Sequence, residues 1–476
     1  MSDVDVLVVG AGTAGIPCAI AAAESGARVV VVEKTAELGG TLHLSAGQMS
    51  GAGTRIQKER GIEDSPQDHY DDIMRIGHGL ADPALVRQAV DEAASTLDWL
   101  ENLGFPFPDD MPIVYYGHDP YTRARTVWGA EMGVAVLKTI QPRFEELVEA
   151  GSIDLLMEHR LERLLIEDGR VVGIAGTAAG GPFELRAREV VLTTGGYAAS
   201  RALFTEFHPG VHCLLGARES SMGDGIQAAR EIGADMRGAE HHLPTPGCLE
   251  IEAGSGETDI WDAFANAIPQ YRPLKEIQVN AQGERFFAED EASADARERA
   301  LAAQGGRAWI VFDEPMLDED DPVIIGWSDE MVRDEAAEGK RVWRAGTLED
   351  LAELAGIDPG GLSATVATYN AGVRAGSDGL GRKQLDGEIT TAPFYAIATH
   401  AGTVIGFAGL TVDAELRVLD QAGSPIPGLY AAGEMLGAAA TMGDGYCGGM
   451  SVTPSLSFGR ILGRRLAAQE VSVSAP

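Results

Sequence analysis

Within its first forty residues the chain sets out a strand, a glycine turn, a helix, a second strand and an acid, in that order. Asp5 to Val9 is a short apolar run of the kind buried in a parallel sheet, and it ends in Gly10-Ala11-Gly12-Thr13-Ala14-Gly15. Ile16 to Glu24 reads as an Ala-rich helix stopped by Ser25-Gly26, and Arg28 to Val32 is a β-branched run closed by Glu33. A G-x-G-x-x-G alone says little. With both strands, the helix and the acid in place it specifies a nucleotide-binding βαβ unit. Gly10 permits the tight turn, Gly12 lets the backbone approach a pyrophosphate, and Gly15 lets the helix sit close to the strand. The helix N-terminus offers unpaired N–H groups to phosphate. Glu33 can accept ribose hydroxyls, and its charge disfavours a 2′-phosphate.

The chain has 476 residues, and single hydrophobic cores stop growing at roughly 250 to 300 residues. Two domains are therefore expected. Hydrophobic residues at 45% and charged residues at 23% can build both cores. After the βαβ unit, helices are expected at Pro83 to Leu103 and Gly133 to Val148. Strands are expected near Ile153 to Leu156, Leu161 to Glu167, Arg170 to Ala175, Phe183 to Ala187 and Val190 to Thr193. From about Pro246 to Gly381 the texture is mixed helix with acidic runs, and the strand-rich, glycine-rich texture returns from Ile397. A helix over Val452 to Ala468 closes the chain. The simplest arrangement inserts one domain into the other: 1–245 and 385–476 make the nucleotide domain, and 246–384 makes a cap.

A formal charge of -35 repels phosphate backbones and anionic lipids, so neither nucleic acid nor a membrane surface is an expected partner. The four cysteines, Cys18, Cys213, Cys248 and Cys447, are far apart and form no C-x-x-C pair. They encode neither a disulfide framework nor a zinc ribbon, and a reducing cytoplasm fits. Met1 to Val9 has no basic leader, and no run of about 18 apolar residues follows, so neither secretion nor a membrane span is expected.

Other segments extend the nucleotide motif: Leu38-Gly39-Gly40-Thr41, Ala46-Gly47-Gln48-Met49, Leu192-Thr193-Thr194-Gly195-Gly196, Gly283 to Glu289, Gly428 to Glu434, and Ser457 to Arg460. Over nearly its whole length the chain resembles the FAD-binding flavoproteins of the fumarate reductase and succinate dehydrogenase superfamily. The resemblance implies an α/β fold, a Rossmann-like FAD-binding domain with an inserted α+β capping domain, and substrate held where the two meet. It implies hydride exchange between flavin N5 and one carbon of a C–C bond, while a protein group exchanges a proton with the neighbouring carbon. The expected cofactor contacts are Gly10, Gly12, Ala14, Gly15, Glu33, Lys34, Gly40, Thr41, Ser45, Gly47, Gly195, Gly196, Gly433, Glu434 and Ser451, with Glu434 beside the ribitol. Anchored on Met49, the histidine that some relatives link to FAD falls at Thr41 rather than His43, so non-covalent FAD is expected. No second glycine-rich motif suggests NAD(P)H.

Dicarboxylate reductases of this superfamily grip substrate with two histidines and two arginines. Those positions here fall on Thr245, on Val404 or Ile405, near Leu317, and on Tyr446. Two carboxylates cannot be desolvated without cations to pair them, so fumarate and succinate are not expected substrates. Tyr446 instead resembles the ketosteroid dehydrogenase branch, in which a tyrosine hydroxyl and a backbone N–H bind a substrate carbonyl. Removing a proton α to a ketone makes an enolate, and donors at its oxygen stabilise it. Tyr446 with the amide of Gly449 or Met450 is expected to form that site, and Thr245 to line it. Tyr446 packing against the flavin without touching substrate is the alternative.

The base is expected from Tyr115, Tyr116 or His118, histidine having the more suitable ordinary pKa of about 6.5. A packed Ω-loop is the competing reading of that segment. The branch's second tyrosine is missing, since Asp290-Glu291-Ala292-Ser293 stands there. Arg123 and Arg125 are open to contacting FAD, to a surface salt bridge or to holding one carboxylate. His241-His242 are expected as surface or loop residues and not metal ligands, because neighbours on a strand face opposite sides. Cys447 is expected to pack, and the acidic runs Glu289 to Glu291 and Asp318 to Asp321 to form solvated faces.

The leading expectation is an FAD-dependent dehydrogenase that desaturates the α,β C–C bond of a cyclic ketone, either a 3-ketosteroid or a smaller oxo-cyclohexane. The alternatives are an enone or unsaturated-acid reductase running the reverse reaction, and an FAD-binding protein whose flavin is structural. With no room for a haem or iron–sulfur domain in 476 residues, electrons are expected to pass to an external acceptor such as a quinone, a dye-like acceptor or a redox protein.

Overall fold

The structure, a computed structural model, describes residues 4–317 and 320–468. The expected order is present: strand Val6–Val9, helix Gly15–Glu24, strand Val29–Val32. These strands lie at the centre of a six-stranded sheet in the order Arg417–Leu419, Pro425–Ala431, Glu189–Leu192, Val6–Val9, Val29–Val32, Ile153–Leu156. Pairing is parallel through Val6↔Val29, Val6↔Glu189 and Leu429↔Val190, with one antiparallel edge strand. Early and late segments therefore share one core.

Both faces of the central strands are buried, which is why they read as unbroken valine and leucine. Helix Val452–Ala468 helps to cover them by lying directly on helix Gly15–Glu24. Two glycines one turn apart permit the contact. A Cβ at Gly459 would stand 2.2 Å from the Ala14 carbonyl oxygen, and one at Gly463 2.3 Å from that of Cys18. Beside this sheet, His159–Glu167, Arg170–Ala178 and Gly181–Arg186 form an antiparallel meander. Its first turn is Asp168-Gly169, both with positive φ as a two-residue hairpin requires.

A second, eight-stranded sheet has its own core running from Leu249 to Ala398. Its long strand, Phe394–Thr403, pairs antiparallel with Arg307–Asp313 through seven residues and also with Val342–Ala345 and Thr245–Cys248. Sheet membership thus runs past the expected boundary at 384. Phe394–Thr403 is apolar and buried along almost all its length, a pattern that looks the same in either sheet. Leu214–Leu215 joins this sheet too, ahead of the boundary at 245.

Two charged or polar segments differ from expectation. Glu289 is 1% exposed and takes ion pairs from Arg285 and Arg382, so the Glu289 to Glu291 run is no solvated face at its first residue. Of the run at 318–321, residues 318 and 319 lie outside the described residues. His242 is not a surface histidine. Phe204, His208 and Phe407 ring it at centroid distances of 5.3, 5.0 and 5.7 Å, and both its ring nitrogens are buried without a partner. Burial lowers its pKa to about 3.

That depressed value sets a pH dependence. Between pH 7 and 5 the unfolded chain protonates this imidazole, whose ordinary pKa is about 6.5, and the folded protein does not. Unfolding is favoured on acidification, by about 2 kcal/mol from this one group at pH 5. Denaturant titrations at pH 7 and pH 5 should show His242→Phe removing about that much of the difference.

Candidate active site

The glycine turn is locked to the sheet by contacts no side chain would survive. Gly10 has φ +105, and a Cβ there would lie 2.5 Å from the Thr193 carbonyl oxygen. At Gly15 it would lie 1.8 Å from the Gly10 carbonyl oxygen. The Thr193 hydroxyl, 2.9 Å from the Val9 carbonyl oxygen and 2.8 Å from that of Gly10, donates at this junction. Gly12 behaves differently: the nearest atom to a Cβ there is the Gly40 Cα, 3.9 Å away. The two glycines face each other across a passage free of side chains.

That passage opens into a cavity of about 470 Å³ between the two sheets, within the size range of ligand sites. Helix Gly15–Glu24 starts at its wall with no side-chain cap and no acid in its first turn, so its amide groups remain for an anion. Glu33 Oε2 accepts the Ala11 N–H at 2.9 Å, and Oε1 accepts the Thr35 N–H and hydroxyl at 2.9 and 2.8 Å. A carboxylate with about four acceptor sites keeps capacity for ribose hydroxyls. Lys34 is held at 2.5 Å by Asp224, which also pairs with Arg160 at 2.7 Å. Clear glycines, an uncapped helix and a fixed acid fit a dinucleotide.

Twelve expected cofactor residues line this cavity: Gly10, Gly12, Ala14, Glu33, Lys34, Gly40, Thr41, Ser45, Gly195, Gly433, Glu434 and Ser451. Gly15, Gly47 and Gly196 stand behind the wall, pressed on Gly10, on the Met132–Gly133 backbone and on the Glu434 carboxylate respectively. Glu434 Oε1 accepts the Gly406 N–H at 2.9 Å. Burial pushes this carboxyl up to about 7, against the lowering effect of the Gly406 and Gly196 amides.

A second group of lining residues gathers around Tyr446. The Tyr446 and His118 rings stack at 4.9 Å and 19°, with Phe407 edge-on to Tyr446 at 5.6 Å and Tyr115 edge-on to His118 at 5.7 Å. Burial holds the Tyr446 phenol well above its ordinary pKa, so it stays a donor. Its hydroxyl lies beside Thr245, whose side chain lowers the phenol's pKa against burial without reaching full hydrogen-bond geometry, and it has no other partner among the described residues. Burial lowers His118 to about 4, which leaves a neutral imidazole at pH 7. Its Nδ1 is likewise buried without a partner. Burial raises the Tyr115 phenol, opposed by the Gln48 side chain.

Other candidates fall away. Tyr116 is exposed and does not line the cavity. Its N–H donates to Tyr271 Oη at 3.2 Å on the cap. Met450 does not line the cavity, and its N–H is taken by Cys447 O at 3.0 Å. Gly449 does line it, and its N–H has no acceptor among the described residues. The loop is fixed by Tyr121 Oη, which donates to Gly448 O at 2.7 Å. Arg125 is fully buried and commits all three nitrogens to Asp64 and Asp72, which ends its candidacy as a carboxylate holder. Arg123 is exposed.

Among the lining residues that have no place in the sequence reading are two charged ones, Arg297 and Glu298, on helix Ala294–Ala303 of the cap. The helix is signalled by Ser293, whose hydroxyl accepts the Ala296 N–H. Nothing in its charged sequence marks an inward face.

Comparison with known proteins places this architecture. The chain belongs to the FAD binding domain family, which matches residues 5–451. A cytochrome-type fumarate reductase of Shewanella frigidimarina is 30% identical over 473 residues, covering 98% of this chain and 77% of the relative. The 4-oxocyclohexanecarboxylate 2-dehydrogenase of Sinomonas cyclohexanicum is 27% identical over 552 residues, covering 98% and 93%. The solved 3-ketosteroid-Δ4-(5α)-dehydrogenase from Rhodococcus jostii RHA1, in complex with 4-androstene-3,17-dione, matches with a TM-score of 0.70 at 27% identity and covers 98% of each chain. The protein is an FAD-dependent oxidoreductase acting on carbon–carbon bonds. No helix among the described residues is long and apolar enough to cross a membrane.

The two kinds of glycine in the turn separate experimentally. Gly12→Ala should fold and melt like the parent while retaining FAD about tenfold less tightly, since its methyl narrows only the passage. Gly15→Ala should lose soluble, FAD-loaded protein altogether. Flavin absorbance against protein after gel filtration reads both.

Proposed function

We propose that this enzyme desaturates the α,β C–C bond of a saturated cyclic ketone. The observation that carries the reading is the Tyr446 hydroxyl: buried, protonated, without a protein acceptor, and stacked on a neutral imidazole in the wall of the FAD cavity. A buried donor without a partner is uncommon in a native structure, and a ketone oxygen supplies the missing acceptor. Tyr446 Oη and the Gly449 N–H bind that oxygen and stabilise the charge that develops as the α-proton leaves. His118 takes the α-proton at Nε2, the ring nitrogen that is not enclosed, whereas Nδ1 is buried, and Tyr115 braces its ring. Bound FAD supplies the acceptor for the β-hydride, and an external acceptor removes the electrons. His43 is tied to the Leu38 carbonyl oxygen at 2.7 Å and does not line the cavity, which supports FAD held without a covalent bond.

The names of two relatives support the substrate class, a 4-oxocyclohexanecarboxylate dehydrogenase and a 3-ketosteroid dehydrogenase. The fumarate reductase relative favours a second reading, reduction of an unsaturated acid or enone by the same residues. Reoxidation of dithionite-reduced enzyme by an enone faster than by a quinone or dye would select it.

Anaerobic mixing with a saturated cyclic ketone should bleach the flavin. Tyr446→Phe should slow bleaching by about 10²-fold or more at unchanged FAD content. No bleaching by any saturated ketone, or full turnover in the Phe variant, contradicts the proposal.

A further inference from the structure

A helix of the cap, Ala294–Ala303, brings to the cavity a cation that has no ion pair among the described residues. The buried arginines are Arg125, Arg272, Arg297, Arg382 and Arg460. Arg125 pairs with Asp64 and Asp72, Arg272 with Glu276, Arg382 with Glu289 at 3.2 Å, and Arg460 with Glu92 at 3.5 Å. Arg297, 7% exposed, alone has no carboxylate within ion-pair distance among the described residues. One of its nitrogens, Nη1, donates to the Glu291 carbonyl oxygen. Nε and Nη2 carry no bond to protein, and the side chain lines the cavity. A buried charge without a counter-ion is costly, and one facing a ligand cavity is relieved when the ligand brings the opposite charge.

Its position ties it to the substrate end rather than to the pyrophosphate passage at Gly12 and Gly40. Asp119, next to His118, accepts the Ala294 N–H at 2.8 Å and the Ser293 hydroxyl at 3.2 Å. One aspartate thus fastens the His118 loop to the start of the helix that carries Arg297. The neighbouring Glu298 is 3% exposed and lies close enough to Tyr446 to influence its phenol. Burial raises the Glu298 carboxyl well above its ordinary value, and Glu298, Asp119 and Glu291 act on Arg297 only as nearby charges, none of them within ion-pair distance.

We infer that Arg297 binds a single carboxylate on the substrate, so that the enzyme's ketone is a keto acid held at its oxygen by Tyr446 and at its acid group by the cap. This rests on the cyclic-ketone reading for the ketone half and on Arg297 alone for the acid half. One guanidinium fits one carboxylate bidentately, while a dicarboxylate would leave its second charge facing neutral walls. The substrate cations missing from their usual places are replaced by one from the cap helix.

The test uses FAD-loaded enzyme and the shift in flavin absorbance on ligand binding. Cyclohexanecarboxylate should bind the parent at least about thirtyfold more tightly than cyclohexanecarboxamide. Arg297→Gln should abolish that preference at unchanged FAD content, and Arg297→Lys should keep part of it. Equal binding of acid and amide by the parent, a comparison that needs no variant, overturns the inference. So does a preference that survives in Arg297→Gln. Neither ligand carries a ketone, so these results are independent of whether ketones bleach the flavin. With cyclohexanone and its 4-carboxylate, Arg297→Gln should weaken the keto acid about thirtyfold and leave cyclohexanone within about threefold. Equal weakening of both would also overturn it.

Discussion

The site depends on the absence of side chains at the point where two strands end together. Val6–Val9 and Glu189–Leu192 run parallel, and past their ends Gly10 and the Thr193 carbonyl come within a distance no Cβ tolerates. Because they close up, helix Gly15–Glu24 begins immediately behind the turn, with its amide end at the cavity wall. The pressure of Gly459 and Gly463 on the same helix holds that direction from the other side. Cofactor binding is therefore built from backbone, and the protein invests few charged side chains in it.

The second sheet encloses the site that the first leaves open. A parallel sheet offers a nucleotide an edge, but not an enclosed place for a second molecule. Thr245, Arg297 and Glu298 come from cap elements, and His118 and Tyr446 from loops of the first domain. Asp119 and Trp261, whose Nε1 donates to the Leu44 carbonyl oxygen at 2.8 Å, link the two parts. In the proposed reaction, burial divides the labour: it keeps the Tyr446 phenol protonated and the His118 imidazole neutral, as a donor to oxygen and an acceptor from carbon would require.

The cofactor half of this arrangement was legible in the sequence because its requirements are local. A glycine that must turn and an acid at the end of the next strand leave fixed spacings, and the strands and helix they bracket lie within a residue or two of the expected bounds. The substrate half was legible only in part. Tyr446 and Tyr115 or His118 could be picked out, but which neighbour faces inward depends on loop direction, and Tyr116 points the wrong way. The inward placement of Arg297 and the burial of the His242 ring nitrogens leave no mark in the sequence for the same reason: polar residues in charged or loop sequence are ordinarily solvated, and only the packing of distant elements reveals that these are not. The boundary expected at 384 falls ahead of Phe394–Thr403, because a strand buried on both faces carries no mark of its partner.

The most direct measurement is a crystal structure of the FAD complex soaked with a saturated cyclic ketone. The account requires the ketone oxygen within hydrogen-bond distance of Tyr446 Oη, the α-carbon facing His118 Nε2 and the ring against the flavin. A ketone whose oxygen points away from Tyr446, with His118 out of reach of the α-carbon, would contradict it.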